Sequence, residues 1–205
     1  KNVLVTGGAG YIGSHVALAA LESGYDVTVF DDLSTANKSN VNPNVQLIIG
    51  STKSKKDLSK LFEYDHYDGV IHLAASKASG ESMKKPIKYS KNNIIGSINL
   101  LNKCIKNNVK HFIFSSSAAV YGSPEYNPID ELHPTNPVSY YGYTKLLIET
   151  NLNWYSEIYD LKYAALRYFN AAGYDINKRV VGKEVKAKNL IPLIMEVAKG
   201  NKSFI

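Results

Sequence analysis

The chain has 205 residues, of which 44% are hydrophobic and 20% charged, and this composition is that of an ordinary globular protein. It is long enough to bury a core of its own, and its single cysteine excludes an internal disulfide. The net charge of +6 comes from lysines spread along the sequence, not from a basic block interleaved with aromatics, so nucleic acid is not an expected partner. The five histidines lack the spacing of metal ligands, so no metal site is predicted.

No membrane association is predicted either. Strand-like residues begin at Val3 without the charged and apolar regions of a signal peptide, and no apolar run is long enough to span a bilayer. A cytoplasmic location is the resulting expectation.

Six short apolar runs alternate with longer amphipathic segments along the chain. The predicted strands are rich in Val, Ile and Phe and cover residues 2–6, 26–30, 45–49, 69–74, 111–115 and 162–167. The predicted helices lie near residues 11–23, 54–63, 86–108, 141–158 and 190–199. Largely continuous apolar strands that alternate with helices indicate an α/β fold, a doubly wound (Rossmann) parallel sheet with helices on both faces.

The helix predicted near residues 141–158 should pack against the sheet through one apolar face. The side chains that recur there at helical spacing, and that form the expected core-facing stripe, are Tyr143, Leu146, Leu147, Trp154 and Ile158. Residues 116–138 contain several prolines and predict a long ordered loop instead of a regular element.

The first predicted strand leads through a glycine-rich turn into a helix, in the stretch VLVTGGAGYIGSH. Gly8, Gly10 and Gly13 satisfy the pattern G-x-G-x-x-G, and Gly7 with the last two satisfies the wider G-x-x-G-x-x-G. Such glycines allow a tight turn and let the backbone approach a pyrophosphate at the amino end of the helix. Because the pattern stands between a strand and a helix, it predicts a dinucleotide site.

A carboxylate is expected at the end of the second strand of such a site, and VFDD supplies Asp31 and Asp32. Asp31 stands 18 residues after Gly13, about the spacing at which a carboxylate accepts hydrogen bonds from an adenosine ribose. A carboxylate there repels a 2′-phosphate, and no arginine follows in residues 33–40, which favours NAD over NADP. The alternative interpretation is a glycine turn followed by a solvated pair of acids.

The predicted fifth strand ends in FSSSAAVYG. Ligands of doubly wound sheets bind beyond the carboxyl ends of the strands, so Ser115, Ser116 and Ser117 should lie beside the nicotinamide half of the cofactor. For two of these three serines, the expected role is to satisfy backbone groups at the strand end.

The stretch SYYGYTK, residues 139–145, contains three tyrosines and a lysine. In a helix that begins near Ser139, Tyr141 and Lys145 are four residues apart and face the same way. Tyr140 points elsewhere, and Tyr143 belongs with the core-facing stripe. Because a neighbouring positive charge favours the phenolate form of tyrosine, Tyr141 is the predicted base.

The glycine fingerprint, the strand-end serine and the Y-x-x-x-K pair together resemble the extended short-chain dehydrogenase/reductase superfamily. More closely, the chain looks like the UDP-glucose (UDP-galactose) 4-epimerases of that superfamily. The stretches that carry the resemblance are VTGGAGYIGSH, DDLS, VIHLAA, GES, KPIKYSKNNIIGSINLL, FSSSAAVYG, PTNPVSYYGYTK and LRYFNAAG. They cover essentially the whole chain, and the resemblance weakens after Gly173.

The resemblance implies an NAD-dependent isomerase that inverts C4 of a UDP-hexose through a transient 4-keto sugar. Tyr141 would take the proton of the 4-hydroxyl, Ser117 would hydrogen-bond the reacting oxygen, and Lys145 would bind the nicotinamide ribose and lower the pKa of the tyrosine. A homodimer through the helices near residues 86–108 and 141–158 is also implied.

The same resemblance assigns the binding residues by position. The predicted NAD-binding residues are Gly7, Gly10, Tyr11, Ile12, Gly13, Asp31, Asp32, Leu33, Ser34, Ser51, Thr52, Leu73, Ala74, Ala75, Lys77, Asn92, Lys145 and Phe169. The predicted residues for the UDP-sugar are Ser117, Tyr141, Asn170, Asn189 and Leu190. Ser51 stands where many relatives have an aspartate that contacts adenine, so the contact with adenine is expected to differ here.

Two regions are expected, an NAD-binding Rossmann domain at residues 1–170 and the beginning of a sugar-nucleotide-binding region at residues 171–205. The chain ends on an apolar pair directly after a predicted helix, and we expect the natural protein to continue beyond it. The 205-residue chain alone is expected to bind NAD and to turn over poorly.

Three other functions are considered. A 4-epimerase of another nucleotide sugar, an N-acetylhexosamine or a uronic acid, fits the same motifs. A nucleotide-sugar 4,6-dehydratase is disfavoured, because such enzymes carry Asp-Glu after the strand-five Ser/Thr, where this chain has Ala118 and Ala119. A non-catalytic NAD-binding scaffold is disfavoured, because it would not need Ser117, Tyr141 and Lys145 together.

Overall fold

The computed structural model of the protein describes residues 1–180 and 190–203. Its strands are β1 (Asn2–Thr6), β2 (Asp26–Asp31), β3 (Gln46–Ile49), β4 (Gly69–His72), β5 (His111–Ser117) and β6 (Lys162–Tyr168). Its helices are α1 (Tyr11–Glu22), α2 (Lys55–Tyr64), α3 (Ser79–Ser82), α4 (Pro86–Tyr89), α5 (Gly96–Lys106), α6 (Tyr140–Tyr159) and α7 (Leu190–Ala198). A π-helical segment, Ser90–Ile95, joins α4 to α5 without a break. In this part of the chain, no helix has both the length and the apolar character that crossing a bilayer requires.

The six strands form one parallel sheet in the order β3-β2-β1-β4-β5-β6. This order is that of a doubly wound Rossmann sheet, so the predicted fold class is confirmed. The order reverses at β1, which lies between β2 and β4. The carboxyl ends of the strands therefore open a crevice at this point, where ligands of such sheets bind.

The hydrophobic core lies on both faces of the sheet, because neighbouring residues of a strand point to opposite sides. Leu4 of β1 belongs to the larger cluster, together with Phe112 of β5 and Leu100 of α5. Val5, the next residue, belongs to a second cluster with Ala17 of α1. This packing fixes α1 and α5 against the sheet and so positions the loops that end at the crevice.

The predicted core-facing stripe of α6 is wrong for three of its five residues. Tyr143, Trp154 and Ile158 are 47%, 58% and 63% exposed, whereas Leu146 and Leu147 are half-buried. The face of α6 that is buried against the sheet consists of Gly142, Thr144, Lys145, Ile148, Glu149 and Leu152. The apolar spacing indicated the outward face because the inward face contains a buried lysine and a buried glutamate, which hydrophobic periodicity does not detect.

Candidate active site

The glycine-rich turn between β1 and α1 is packed so closely that it excludes side chains. Gly7 has a φ of 73°, a left-handed conformation that favours glycine. A Cβ on Gly7 would lie 2.6 Å from the backbone nitrogen of Ala74, which follows β4. A Cβ on Gly13 would overlap the carbonyl oxygen of Gly7 and the Cα of Gly8. The turn therefore has the shape of a cradle that only backbone can form.

The amino end of α1 presents backbone donors at this turn. Gly10 is the N-cap, in an extended conformation and without a side-chain hydrogen bond to the helix. Ser14 is the first residue to donate its N–H within the helix, to the Gly10 carbonyl at 3.0 Å. The N–H groups of Tyr11, Ile12 and Gly13 precede it, and at a helix amino end such groups bind phosphate.

Asp31, at the end of β2, supports the turn directly. One carboxylate oxygen accepts the N–H of Ala9 at 3.0 Å, and the other accepts the N–H of Leu33 at 2.8 Å. Burial raises the pKa of Asp31, and these two backbone hydrogen bonds oppose the rise. Each carboxylate oxygen keeps a lone pair, so the bracing of the turn is compatible with accepting a ribose hydroxyl.

Asn40 completes the support of the turn and was missed by the sequence analysis. Its buried side chain donates to the carbonyl oxygen of Ala9 at 2.9 Å, while Asp31 holds the N–H of the same residue. No spacing rule connects an asparagine in a polar loop with a glycine turn 31 residues earlier, so the sequence offered no signal for it.

Asp32 lies in a more open position than its neighbour. It accepts hydrogen bonds from the backbone N–H and the hydroxyl of Ser34, at 3.0 and 2.5 Å, and lies 3.7 Å from the Lys53 ammonium. Burial would raise the pKa of Asp32, but the Ser34 hydrogen bonds and the Lys53 charge outweigh it and lower the pKa. The Ser51 hydroxyl donates to Asp32 at 3.4 Å, and Thr52 follows it as a buried residue.

The loop after β4 brings the predicted residues Leu73 and Ala74 beside Gly7, and the predicted residues Ala75 and Lys77 follow in the same loop. Two asparagines from the segment that joins α4 to α5 fix this loop. The Asn92 amide donates to the Ser76 hydroxyl at 2.7 Å. The Asn93 amide accepts the Ser76 N–H at 2.8 Å and donates to its carbonyl at 2.9 Å. Asn92 was predicted, whereas the buried Asn93 was not.

The three tyrosines at the start of α6 have different surroundings. Ser139 caps the helix by accepting the Gly142 N–H at 3.1 Å, so the helix begins where the sequence predicted. The hydroxyl of Tyr140 lies 2.6 Å from that of Ser90. Tyr143 stacks on Tyr140 at the surface, with ring centroids 5.7 Å apart.

Tyr141 is the tyrosine that faces the crevice. Its backbone N–H donates to the Ser82 hydroxyl at 3.0 Å, and its ring packs edge-on against Tyr89 at 6.4 Å between centroids. Burial raises the pKa of Tyr141, and the neighbouring Ser117 hydroxyl opposes this rise. The polypeptide alone therefore holds Tyr141 as a neutral phenol at pH 7.

Lys145 lies one helical turn beyond Tyr141 and is only 3% exposed. Its ammonium donates to the carbonyl oxygen of Ser115 at 2.5 Å and lies 4.8 Å from the centroid of the Phe114 ring. The distance from the ammonium to the centroid of the Tyr141 ring is 5.8 Å. Burial lowers the pKa of Lys145 to about 7, although the charge of Glu149 opposes this effect.

The end of β6 lies next to these residues, because Ser117 pairs with Tyr168 in the sheet. Phe169 follows and is 62% exposed, with its ring stacked on Tyr121 at 6.4 Å between centroids. Asn170 comes next and is also exposed. The sheet register therefore places both predicted residues at the same edge as Ser117.

The residues predicted to bind the UDP-sugar are only partly brought together. Leu190 is the first residue of α7 and is exposed, and Asn189 lies outside the described residues. The segment after β6 contacts α1 through Tyr11, whose hydroxyl donates to the Gly173 carbonyl at 2.5 Å and accepts the Gly173 N–H at 2.8 Å. The start of this segment is thus attached to the helix that carries the glycine turn.

The sequence model of the NAD dependent epimerase/dehydratase family matches residues 3–204. The chain belongs to this family. The resemblance to the extended short-chain dehydrogenase/reductase superfamily and to its UDP-glucose 4-epimerases is thereby confirmed. The UDP-glucose 4-epimerase of Halalkalibacterium halodurans is 44% identical over 200 residues, which are 98% of this chain and 60% of that protein.

Solved structures of the epimerase/dehydratase family superpose closely on the chain. UDP-glucose 4-epimerase from Brucella ovis in complex with NAD is 41% identical, with a TM-score of 0.95 over 100% of this chain and 63% of that one. The Bifidobacterium longum enzyme in complex with NAD+ and UDP is 36% identical, with a TM-score of 0.92 over 98% and 63%. The chain thus spans somewhat less than two thirds of the length of these relatives.

An ion pair between α6 and β6 was not predicted. Buried Glu149 of α6 and half-buried Arg167 of β6 form it, with 2.7 Å between Arg167 Nη2 and Glu149 Oε2. His72, the last residue of β4, is buried between the hydroxyls of Thr6 and Ser97, at 2.6 and 2.8 Å from its ring nitrogens. Burial lowers the pKa of His72 to about 3, so it is neutral at pH 7.

Proposed function

We propose that the protein catalyses the NAD-dependent 4-epimerisation of a UDP-hexose, interconverting UDP-glucose and UDP-galactose through a transient 4-keto sugar. The observation that carries this proposal is the meeting of Ser117, Tyr141 and Lys145 at the carboxyl edge of the sheet, in a chain similar to UDP-glucose 4-epimerases. A non-catalytic scaffold would not need a buried lysine beside a tyrosine at this edge.

The glycine turn supports NAD as the cofactor of the proposed reaction. A cradle that a Cβ on Gly7 or Gly13 would fill, with the free N–H groups of α1 beside it, fits a pyrophosphate. Asp31 and Asp32 at the end of β2 would accept the adenosine ribose hydroxyls. When bound, NAD supplies the acceptor for a hydride that is later returned to the sugar.

The other NAD contacts are proposed by position in the crevice. Leu33, Ser34, Ser51 and Thr52 would line the adenine half, beyond β2 and β3. The remaining residues, which follow β4 and β6 or lie in the α4 to α5 connection, would line the nicotinamide half, and these are Leu73, Ala74, Ala75, Lys77, Asn92 and Phe169. Residues 1–170 would then form the NAD-binding region and residues 171–205 the start of the region that binds the sugar nucleotide.

The protein groups at the reacting carbon have distinct proposed roles. Tyr141 would act as the base for the 4-hydroxyl, and Ser117, which lies beside its phenol, would hold the reacting oxygen. Because burial raises the pKa of Tyr141, forming the phenolate requires nearby positive charge, which Lys145 supplies in its protonated form. Asn170, Asn189 and Leu190 would contact the sugar nucleotide.

A homodimer is proposed as the assembly. Ile87 of α4, Ile95 at the end of the π-helical segment, and Trp154 and Ile158 of α6 are exposed apolar side chains. They lie in residues 86–108 and 141–158, the two regions through which the family resemblance implies a dimer. An exposed apolar surface on a soluble protein marks an interaction site more often than it occurs by chance. The partner would be a second copy of this chain.

The proposed base is tested by a matched pair of variants. In Tyr141→Phe we expect conversion of UDP-galactose to fall by about 10²–10⁴-fold, because the group that accepts the proton is removed. NAD affinity should stay within about threefold of wild type, which corresponds to about 0.7 kcal/mol. Tyr140→Phe is the control, because it removes a neighbouring hydroxyl that binds Ser90 instead of facing the crevice.

Wild-type turnover of UDP-galactose in the Tyr141→Phe protein would refute Tyr141 as the base. A function of the protein that Tyr141→Phe leaves unchanged would favour the scaffold. If only UDP-N-acetylgalactosamine were converted, the substrate would belong to the N-acetylated class.

A further inference from the structure

Glu149 is a buried acid of α6 that the proposed mechanism does not use. It is 9% exposed and lies one helical turn beyond Lys145, on the face that packs against the sheet. Acidic side chains are seldom buried without a cationic partner or several hydrogen bonds. The contacts of Glu149 therefore explain why an acid is retained at this position.

The carboxylate of Glu149 joins α6 to the ends of two strands. Its two oxygens accept hydrogen bonds from Nε and Nη2 of Arg167 on β6, at 2.7 to 3.2 Å. It also accepts a hydrogen bond from the hydroxyl of Ser116 on β5. The Arg167 guanidinium in turn lies over the ring of Tyr121, 4.8 Å from its centroid. A bidentate pair of this kind fixes orientation as well as distance.

The three serines at the end of β5 each contact a different residue of α6. The Ser115 carbonyl accepts a hydrogen bond from the Lys145 ammonium, the Ser116 hydroxyl donates to Glu149, and the Ser117 hydroxyl lies beside the Tyr141 phenol. Glu149 therefore fixes the middle serine of a strand end whose two neighbours contact the proposed base and its lysine.

Glu149 also determines the charge that surrounds Lys145. The groups that face this ammonium are neutral His72 from β4, Tyr141 and Glu149 from α6, and Arg167 from β6 behind Glu149. Of these groups, Glu149 favours the protonated lysine, whereas burial disfavours it. Without Glu149, burial and the unpaired Arg167 would both act against protonation of the lysine.

We propose that Glu149 is a positioning residue of the proposed epimerisation, which holds the serine-bearing end of β5 on α6 and supplies the buried negative charge that Lys145 faces. Its role rests on the proposed function in one respect, because Tyr141 needs the protonated lysine beside it to become a base. The carboxylate of Glu149 is bonded to Ser116 and Arg167, so it would act on the reaction through Lys145 and Ser116.

Two variants that break the same ion pair distinguish this role from simple stabilisation. Glu149→Gln leaves the positive charge of Arg167 behind, whereas Arg167→Gln leaves the negative charge of Glu149. The titration midpoint of Lys145 should fall by about one pH unit or more in the first variant and rise in the second. The double variant Glu149→Gln with Arg167→Gln, which carries neither charge, should lie between the two.

The midpoint is measured by NMR on protein labelled with ¹³C at the lysine ε-carbon, with Lys145→Arg to assign the signal, and it requires no turnover. The pH profile of UDP-galactose conversion is recorded in parallel. Its basic limb should move to lower pH in Glu149→Gln and to higher pH in Arg167→Gln. Thermal unfolding shows whether each variant is folded.

Shifts of opposite sign in the two single variants support the proposal, even if the protein turns over no UDP-sugar. In that case the epimerase function would fail and the electrostatic role of Glu149 would stand. Midpoint shifts of the same sign, or the absence of any shift in folded variants, would overturn the proposed role of Glu149. The ion pair would then be a stabilising contact only. If Glu149→Gln does not fold, Arg167→Gln and the double variant carry the same comparison.

Discussion

The two ends of the crevice are built from different groups. At the β1–β2 end, the crevice presents backbone N–H groups of α1, held in place by Gly7, Gly13 and the carboxylate of Asp31. At the β5–α6 end, it presents two ionisable side chains, Tyr141 and Lys145. The first end would bind a ligand with backbone dipoles that folding has already ordered, whereas the second places a charge in a poorly solvated site.

This difference determines what each end tolerates. A site made of backbone tolerates changes of nearby side chains but no added atom at the positions of closest approach. A site made of buried ionisable groups tolerates a substitution of similar volume but loses its chemistry, and removal of the charge should stabilise the fold. Adding a Cβ to the first end and removing a charge from the second are therefore complementary tests.

The larger effect on binding is expected from Gly13→Ala. The added Cβ would overlap the Gly7 carbonyl and the Gly8 Cα, both of which are backbone atoms that no rotamer change can move. We expect NAD affinity to fall by about 100-fold or more, equivalent to about 2.8 kcal/mol, when measured by equilibrium titration. Tyr141 and Lys145 are unchanged in this variant, so it acts on the backbone end alone.

Gly80→Ala is the matched control, because Gly80 is also helical and a Cβ there meets no atom within 4 Å. It should bind NAD as the wild type does. An unaltered affinity in Gly13→Ala would show that the glycine turn is not the pyrophosphate cradle.

A smaller effect is expected from Lys145→Met, and it is a gain in the stability of the fold instead of a loss of binding. The pKa of Lys145 is about 7 in the folded protein, well below the ordinary value of 10.5 that applies to the unfolded chain. Between these two pH values the unfolded state binds a proton that the folded state lacks, so wild-type stability rises with pH across this window. Lys145→Met removes the free-energy cost of burying the protonated lysine. The variant should therefore be more stable than the wild type by about 1–4 kcal/mol at pH 6.

The difference in stability should shrink as the pH rises towards 10.5, and denaturant unfolding at several pH values measures it. Lys106→Met, on the exposed side of α5, is the control and should show no such pH-dependent gain. A Lys145→Met protein that is less stable than the wild type at pH 6 would mean that the contact with Ser115 outweighs the cost of burying the charge.

Sequence reasoning succeeded wherever the relevant contacts are local. The glycine turn spans seven residues from Gly7 to Gly13, and the pairing of Tyr141 with Lys145 follows from helical phase alone. The alternation of strands and helices was likewise sufficient to predict the doubly wound sheet.

The same reasoning failed where contacts between residues distant in the sequence determine which side chains are buried or paired. The inward face of α6 is partly polar, so apolar periodicity selected its outward face and placed Tyr143 in the core. Asn40, Asn93 and the Glu149–Arg167 pair act on residues distant in sequence, and an isolated polar residue gives no sign of its partner.

The most direct test of the proposed epimerisation follows a label through the reaction. UDP-galactose that carries deuterium at C4 is converted in ordinary water, and the product is examined by NMR and mass spectrometry. Because the hydride that leaves C4 returns to the same carbon, the UDP-glucose formed should retain deuterium at C4. Loss of the label to solvent would instead indicate inversion by proton exchange and would contradict a role of NAD as hydride carrier at this site.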